Sequence, residues 1–329
     1  MGMSGGVVRW GVLSTATINR KVVPATQAAA RCEVVAIGSR DRSRAEAAAS
    51  EFGVARAYGS YEEVLSDPDV DAIYNPLPND LHERWTIQAA RAGKHVLCEK
   101  PLAMRVAEAE RMVAACRDEG VLLMEAFMYR LHPTWEAVRE LVDSNRIGDL
   151  EAVQTWFSYF NDDPANIRNI PASGGGALYD VGCYAVNVSR MLFGAEPVRV
   201  QGSVHRDPDL GVDVVTSGVL DFPTGVATFT CSTRTEPDQR VHVYGTEGRI
   251  AVEIPFNIPL DLPTRVFVTA GGDPPVAPNT EVLTFEPANQ YTIQAERFAA
   301  AVLDGTPVPI PPADAVANLR VIEELFRAG

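Results

Sequence analysis

Through the first 127 residues, short β-branched runs alternate with stretches in which apolar residues recur every three or four positions. That alternation is the pattern of right-handed βαβ units building a parallel sheet. It predicts strands at 7–13, 33–39, 72–75, 95–98 and 121–127, separated by helices at 18–29, 42–52, 82–92 and 106–119. In the last of these helices Val106, Ala109, Met112, Val113 and Cys116 fall on one stripe, expected to lie against the sheet. Beyond residue 127 the rhythm changes. Strands joined by turns are predicted at 152–159, 198–205, 214–222, 226–234, 240–244, 249–252, 265–268 and 281–285. Helices are predicted at 176–193 and 291–303, and an amphipathic one at 313–326 after the Pro-rich stretch 307–312. The fold class is therefore α/β, a doubly wound parallel sheet over 1–127, followed over 128–312 by an α+β domain with a large, mostly antiparallel open sheet. Helix 313–326 is expected to pack back on the first domain.

A length of 329 residues agrees with two domains. The 43 acidic residues exceed the 29 basic ones by 14, and a field of that sign repels phosphate backbones and anionic lipid, so neither nucleic acid nor a membrane surface is an expected partner. No apolar run approaches the roughly 18 residues of a spanning helix, and the start lacks a basic leader segment, which points to the cytoplasm. The five cysteines are odd in number and none has metal-type spacing, so they read as reduced, and no metal is expected.

Candidate chemistry begins where the first strand ends, at Gly11 and the run Ser14, Thr15, Ala16, Thr17, Ile18. A tight strand-to-helix turn there would offer backbone N–H groups to a pyrophosphate. Ser14 and Ala16 replace the usual later glycines, and taken alone the string fits an ordinary turn equally well. The second strand ends in Ser39 and Arg40, with Arg44 beyond. An acidic residue there would accept the ribose hydroxyls of NAD; donors and positive charge suit a 2′-phosphate, so NADP is favoured, with NAD as the other option. Asp41 reads as the cap of the next helix.

Lys100 follows the predicted strand 95–98, at the edge of the sheet where open α/β folds collect ligands, and Pro101 fixes its backbone, through a cis bond in one reading. In helix 176–193, Asp180, Tyr184 and Asn187 are spaced to share one face, while Val181, Ala185, Val188 and Leu192 form another. The first face is expected to look into a cleft and the second to pack on the sheet. Arg130, His132 and Arg168 are candidate hydroxyl or phosphate contacts, although His132, preceding Pro133, equally suits a helix cap.

The longest motifs are Asn75-Pro76-Leu77-Pro78-Asn79 through His82, and Ala92-Gly93-Lys94-His95-Val96-Leu97-Cys98-Glu99-Lys100-Pro101. With Glu125–Arg130, Gly174-Gly175-Gly176 and Gly245-Thr246-Glu247-Gly248, they make the chain resemble, over nearly its whole length, the Gfo/Idh/MocA family of NAD(P)-dependent oxidoreductases. The subgroup it resembles contains D-xylose and related aldose dehydrogenases, dimeric dihydrodiol dehydrogenases and sugar 3-ketoreductases. The resemblance implies a Rossmann domain, a catalytic Lys100, and Pro76, Leu77, Asn79, His82 and Glu99 near the cofactor. It also implies a substrate-side place for Tyr291. Many members carry His where this chain has Tyr184, a departure that alters which acid or base is expected.

The implied reaction is hydride transfer between the nicotinamide and a carbon bearing a hydroxyl or carbonyl. Tyrosine's ordinary pKa is near 10, so an ionised Tyr184 at neutral pH needs a cation such as Lys100; a shift of about two units takes roughly 2.7 kcal/mol. Tyr184 is then the acid or base, Lys100 polarises the reacting oxygen, and Asp180 orients substrate or keeps Lys100 charged. The expected substrate is a small sugar, foremost a pyranose aldose, or a cyclic polyol. A 3-keto nucleotide-sugar reductase, a trans-dihydrodiol dehydrogenase and a non-catalytic NADP sensor are the alternatives. The open sheet is expected to be covered in a homodimer or homotetramer.

Overall fold

The computed structural model describes residues 6–271 and 279–328. The chain forms two compact units, one running to Met128 and including Tyr291–Val316, the other comprising Tyr129–Gln290 and the chain from Ala317.

In the first unit the elements are β1 (Val8–Leu13), α1 (Asn19–Ala28), β2 (Cys32–Gly38), α2 (Arg42–Phe52), β3 (Arg56–Tyr58), α3 (Tyr61–Ser66), β4 (Ala72–Asn75), α4 (Asn79–Arg91), β5 (His95–Cys98), α5 (Val106–Asp118) and β6 (Leu123–Glu125). Their six strands pair in parallel in the order β3-β2-β1-β4-β5-β6. The order reverses between β1 and β4, and the crevice beyond the carboxyl ends of such strands is where this topology takes its ligands. Val12, Ile37, Ile73 and Leu97 form the buried middle of the sheet. In the α5 stripe, Ala109, Met112 and Cys116 are buried and Val106 and Val113 half-buried.

Two elements here were not predicted, β3 and α3. A three-residue strand and a six-residue helix are too short to show a period. Yet α3 is seated firmly: Ser60 Oγ accepts from Glu63 N–H, Glu63 Oε2 accepts from Gly59 N–H, and Val64 lies where side chains on Gly11 and Gly38 would otherwise stand. Gly11 therefore serves packing as well as the turn that follows it.

The second unit contains α6 (Pro133–Asp143), β7 (Leu150–Phe160), one π-helical turn (Leu178–Gly182), α7 (Cys183–Phe193), β8 (Arg199–Arg206), β9 (Asp213–Phe222), β10 (Gly225–Ser232), β11 (Arg234–Gly245), β12 (Gly248–Val252), β13 (Thr264–Ala270) and β14 (Thr280–Phe285). Its sheet runs β14-β13-β12-β11-β7-β10-β9-β8, antiparallel except where β7 meets β10. Two helices close the chain, α8 (Gln290–Asp304) and α9 (Pro312–Ala328). Phe298 of α8 stacks obliquely on Trp10 at 5.3 Å. The later part of α9 belongs to the second unit, where Leu325 lies against Gly202 and Gly218, and Phe326 meets Tyr179.

The single helix predicted at 176–193 is a correction: the π turn precedes α7, and its wider spacing breaks the 3.6-residue period on which that reading relied. Helix α6 was also missed, although its start carried signals. Pro133 occupies its first turn and His132 Nδ1 accepts from Thr134 N–H at 3.2 Å, so His132 is a cap. Among the described residues no helix is long and apolar enough to cross a membrane, and no group of three or more His, Cys, Asp or Glu is placed to hold a metal ion.

Candidate functional site

The turn after β1 is built by Ser14, which takes a left-handed φ of 83° and donates its N–H to Gly38 O. Buried Asn19 locks it, donating from Nδ2 to Ser14 O at 2.8 Å, while Ala16 N–H donates to Ser14 Oγ. The amides of Thr15, Thr17 and Ile18 donate to no acceptor among the described residues, and α1 has no side-chain cap. Unsatisfied N–H groups at a helix start, beside small half-buried residues, fit a pyrophosphate. Asn19 was not singled out in the sequence.

At the end of β2, Ser39 is buried and its Oγ accepts from Asp41 N–H, whereas Arg40 is exposed. Tyr61 of α3 lies beside Arg40; burial raises its phenol pKa, against the opposing pull of the adjacent guanidinium. Tyr61 is itself fixed edge-on to Trp85 at 4.8 Å. Asp41 caps α2 through Ser43 and Arg44 N–H, as expected, and Arg44 Nε stands 3.8 Å from Asp41 Oδ2 in an exposed pair. The supporting tyrosine escaped sequence reading because α3 did; Ser60 with Glu63, a capping-box spacing, was the available signal.

Lys100 and Glu99 are half-buried just beyond β5, and the Lys100–Pro101 bond is cis. Glu99 N–H donates to Asn75 O at 3.0 Å, so the loops after β4 and β5 are tied together. Tyr74 donates to Glu99 Oε1 at 2.6 Å, and both burial and the Glu99 charge hold its phenol pKa well above the ordinary value. Tyr291 joins this group. Burial raises its pKa first, then Glu99, with Lys100 acting in the opposite direction. Pro76 and Leu77 are buried in the β4 loop, Asn79 is half-buried in the first turn of α4 with Pro78 at the cap position, and His82 is fully buried.

In the second unit the glycines of 174–176 fold the chain tightly back on the Arg168 segment. Gly176 N–H donates to Arg168 O at 2.9 Å, and a side chain on Gly175 would strike that carbonyl. Gly176, at a φ of 120°, leaves room for the Asp213 carboxylate, which accepts from Leu178 N–H at 2.7 Å and anchors the π turn. Asp180 is thereby presented to Arg168, whose Nε is 2.9 Å from Asp180 Oδ2, and to Tyr159, whose hydroxyl donates to the same oxygen at 2.5 Å. The Asp180 charge is the main reason the Arg168 pKa is raised, and Tyr159 and Tyr184 add to it. Sequence spacing gave no sign of this pairing, nor of Tyr159.

Tyr184 is 5% exposed, its ring held among Tyr129, Phe157 and Phe256 at centroid distances of 5.8, 5.5 and 5.1 Å. Asn187, expected on a cleft-facing surface, has no exposed area and accepts from the Tyr129 hydroxyl at 2.6 Å. The division of this helix into polar and apolar faces does not hold, since every residue from Cys183 to Arg190 is buried. Arg130 is half-buried in the short 3₁₀ turn Met128–Leu131.

Comparison with known proteins agrees with this architecture. Residues 8–127 match the model of the oxidoreductase family with an NAD-binding Rossmann fold, and residues 135–251 match the GFO/IDH/MocA C-terminal domain. An uncharacterized oxidoreductase of Rhizobium meliloti is 45% identical over 98% of this chain and 97% of its own. A D-xylose 1-dehydrogenase (NADP(+)) of Haloferax volcanii is 41% identical over 97% of this chain and 96% of its own. The crystal structure of a 3-ketoreductase from Actinomadura kijaniata, in complex with NADP and TDP-benzene, superposes with a TM-score of 0.91 at 30% identity, covering 98% of both chains. The chain belongs to the Gfo/Idh/MocA oxidoreductase family.

Proposed function

We propose that the protein is an NADP-dependent oxidoreductase of a small neutral sugar, foremost a pyranose aldose of the xylose or glucose type. The observation that carries this reading is the presence of Lys100 just beyond β5, and of Asp180 and Tyr184, each in a built setting, in a chain 41% identical to a D-xylose 1-dehydrogenase (NADP(+)). When bound, the cofactor would give or take the hydride. Lys100 stabilises charge on the reacting oxygen, and the Tyr184 hydroxyl carries the proton. Arg168 and Asp180, already neutralising one another, offer hydrogen bonds to hydroxyls without a net charge. A sensor that only binds NADP has no chemical use for this set. The second reading, reduction of a 3-keto nucleotide sugar, is supported by the likeness to the Actinomadura kijaniata enzyme. A panel of aldoses, cyclic trans-diols and 3-keto sugars, followed at the reduced-nicotinamide absorbance with each cofactor, separates the readings: aldose turnover supports the first, and NADPH binding with no turnover anywhere sinks both.

Cofactor choice resides in Arg40. A charge-assisted hydrogen bond to a 2′-phosphate is worth about 1.5–3 kcal/mol, roughly ten- to a hundredfold in affinity. Arg40→Ala should raise the Kd for NADP by that factor and leave NAD nearly unchanged, with the effect shrinking as salt is added. Fluorescence titration decides; equal losses for both cofactors would mean that Arg40 supports the fold.

The eight-stranded sheet exposes Trp156, Phe160, Tyr244 and Val282, and we assign this apolar surface to a homodimer or homotetramer. Light scattering showing only a 35.6 kDa species would refute that.

A further inference from the structure

His82 is a buried titratable group to which the proposed reaction gives no chemical role. Its ring has no exposed surface and stands between two carbonyls, with Nε2 2.7 Å from Leu77 O and Nδ1 3.0 Å from Pro101 O. Leu77 belongs to the loop after β4, and Pro101 to the loop after the neighbouring β5. A neutral imidazole has one N–H and one lone pair and satisfies only one such acceptor; a doubly protonated ring satisfies both. Either way, the ring fills the space between the two loops and hydrogen-bonds at least one of them. On its other side, the Lys100 loop is held from β6, where Leu102 N–H donates to Glu125 Oε1 at 2.7 Å. Lys100 is thus carried on a segment gripped at Pro101 and Leu102, the two residues that follow it.

We propose that His82 is a positioning residue, holding the Lys100 loop in register with the Leu77 loop so that the ammonium group is fixed where the reaction needs it. The functional half of this statement rests on the proposed role of Lys100; the structural half does not. A misplacement of about 1 Å in a reacting group can cost around a hundredfold in rate. His82→Leu, which removes the ring's hydrogen bonding to the two carbonyls while keeping apolar bulk, should lower kcat about a hundredfold and change the Kd for NADPH far less. Hydrogen exchange read by mass spectrometry should quicken at residues 99–103 in the variant without cofactor or substrate. If His82→Leu does not fold, His82→Asn, too short to span both carbonyls, should show the same two changes. Unchanged exchange at 99–103 overturns the clamp, whether or not turnover falls. Faster exchange with wild-type kcat overturns the positioning role. A wild-type enzyme that turns over nothing would count against the proposed function, while the exchange result would still decide the clamp.

Discussion

Tyr184→Phe should keep its fold and its NADPH affinity while losing roughly 10²–10⁴ in turnover, the range for a positioned acid or base. The ring contacts with Tyr129, Phe157 and Phe256 are made by carbon atoms that phenylalanine retains, so packing is preserved and only the hydroxyl is removed. Even if the hydroxyl makes one hydrogen bond, its loss costs only about 1 kcal/mol of stability, which a thermal melt registers as a shift of a few degrees. Steady-state kinetics beside that melt separates catalysis from packing. Turnover within a few-fold of wild type would transfer the proton role elsewhere, with the Tyr159 hydroxyl bonded to Asp180 as the next group to test.

Lys100→Met is the second large effect. Methionine nearly matches the stem of lysine but removes a charge that developing negative charge on oxygen would otherwise meet, a loss of roughly 10²–10³ in kcat when the group is preorganised. Removal of the ammonium also leaves Glu99 with one fewer positive neighbour, though Tyr74 still donates to its Oε1. The pH profile is the more telling readout. If Lys100 and Tyr184 share the proton chemistry, a limb of the wild-type profile should move or vanish in the variant; an unaltered rate and unaltered limbs would make Lys100 structural.

The parallel half of the fold was legible because helices and strands there obey clean periods: α2, β4 and β5 begin and end where the sequence placed them. The eight antiparallel-sheet strands were found but with blurred ends, as at β11, which starts at Arg234 and has an irregular register before Asp238. What escaped was short or non-local. Tyr61 lies on a six-residue helix, and Tyr159 and Arg168 reach Asp180 from 21 and 12 residues away. Asn187 was misplaced for a different reason. Periodicity identified it as polar among apolar neighbours, but a helix enclosed on all sides can bury an amide once a partner such as the Tyr129 hydroxyl is supplied. Lys100 was legible through its motif, whereas the His82 contact beneath it depends on two loops meeting across adjacent strands.

The central claim is direct hydride transfer between a bound nicotinamide and a sugar carbon, and an isotope tests it without any mutation. The enzyme should be incubated with NADP and an aldose carrying deuterium at the anomeric carbon, and the reduced cofactor examined by mass spectrometry and proton NMR. The account predicts one deuterium per turnover at C4 of the nicotinamide, on a single face. Reduced cofactor without deuterium, or label recovered in water, would contradict it.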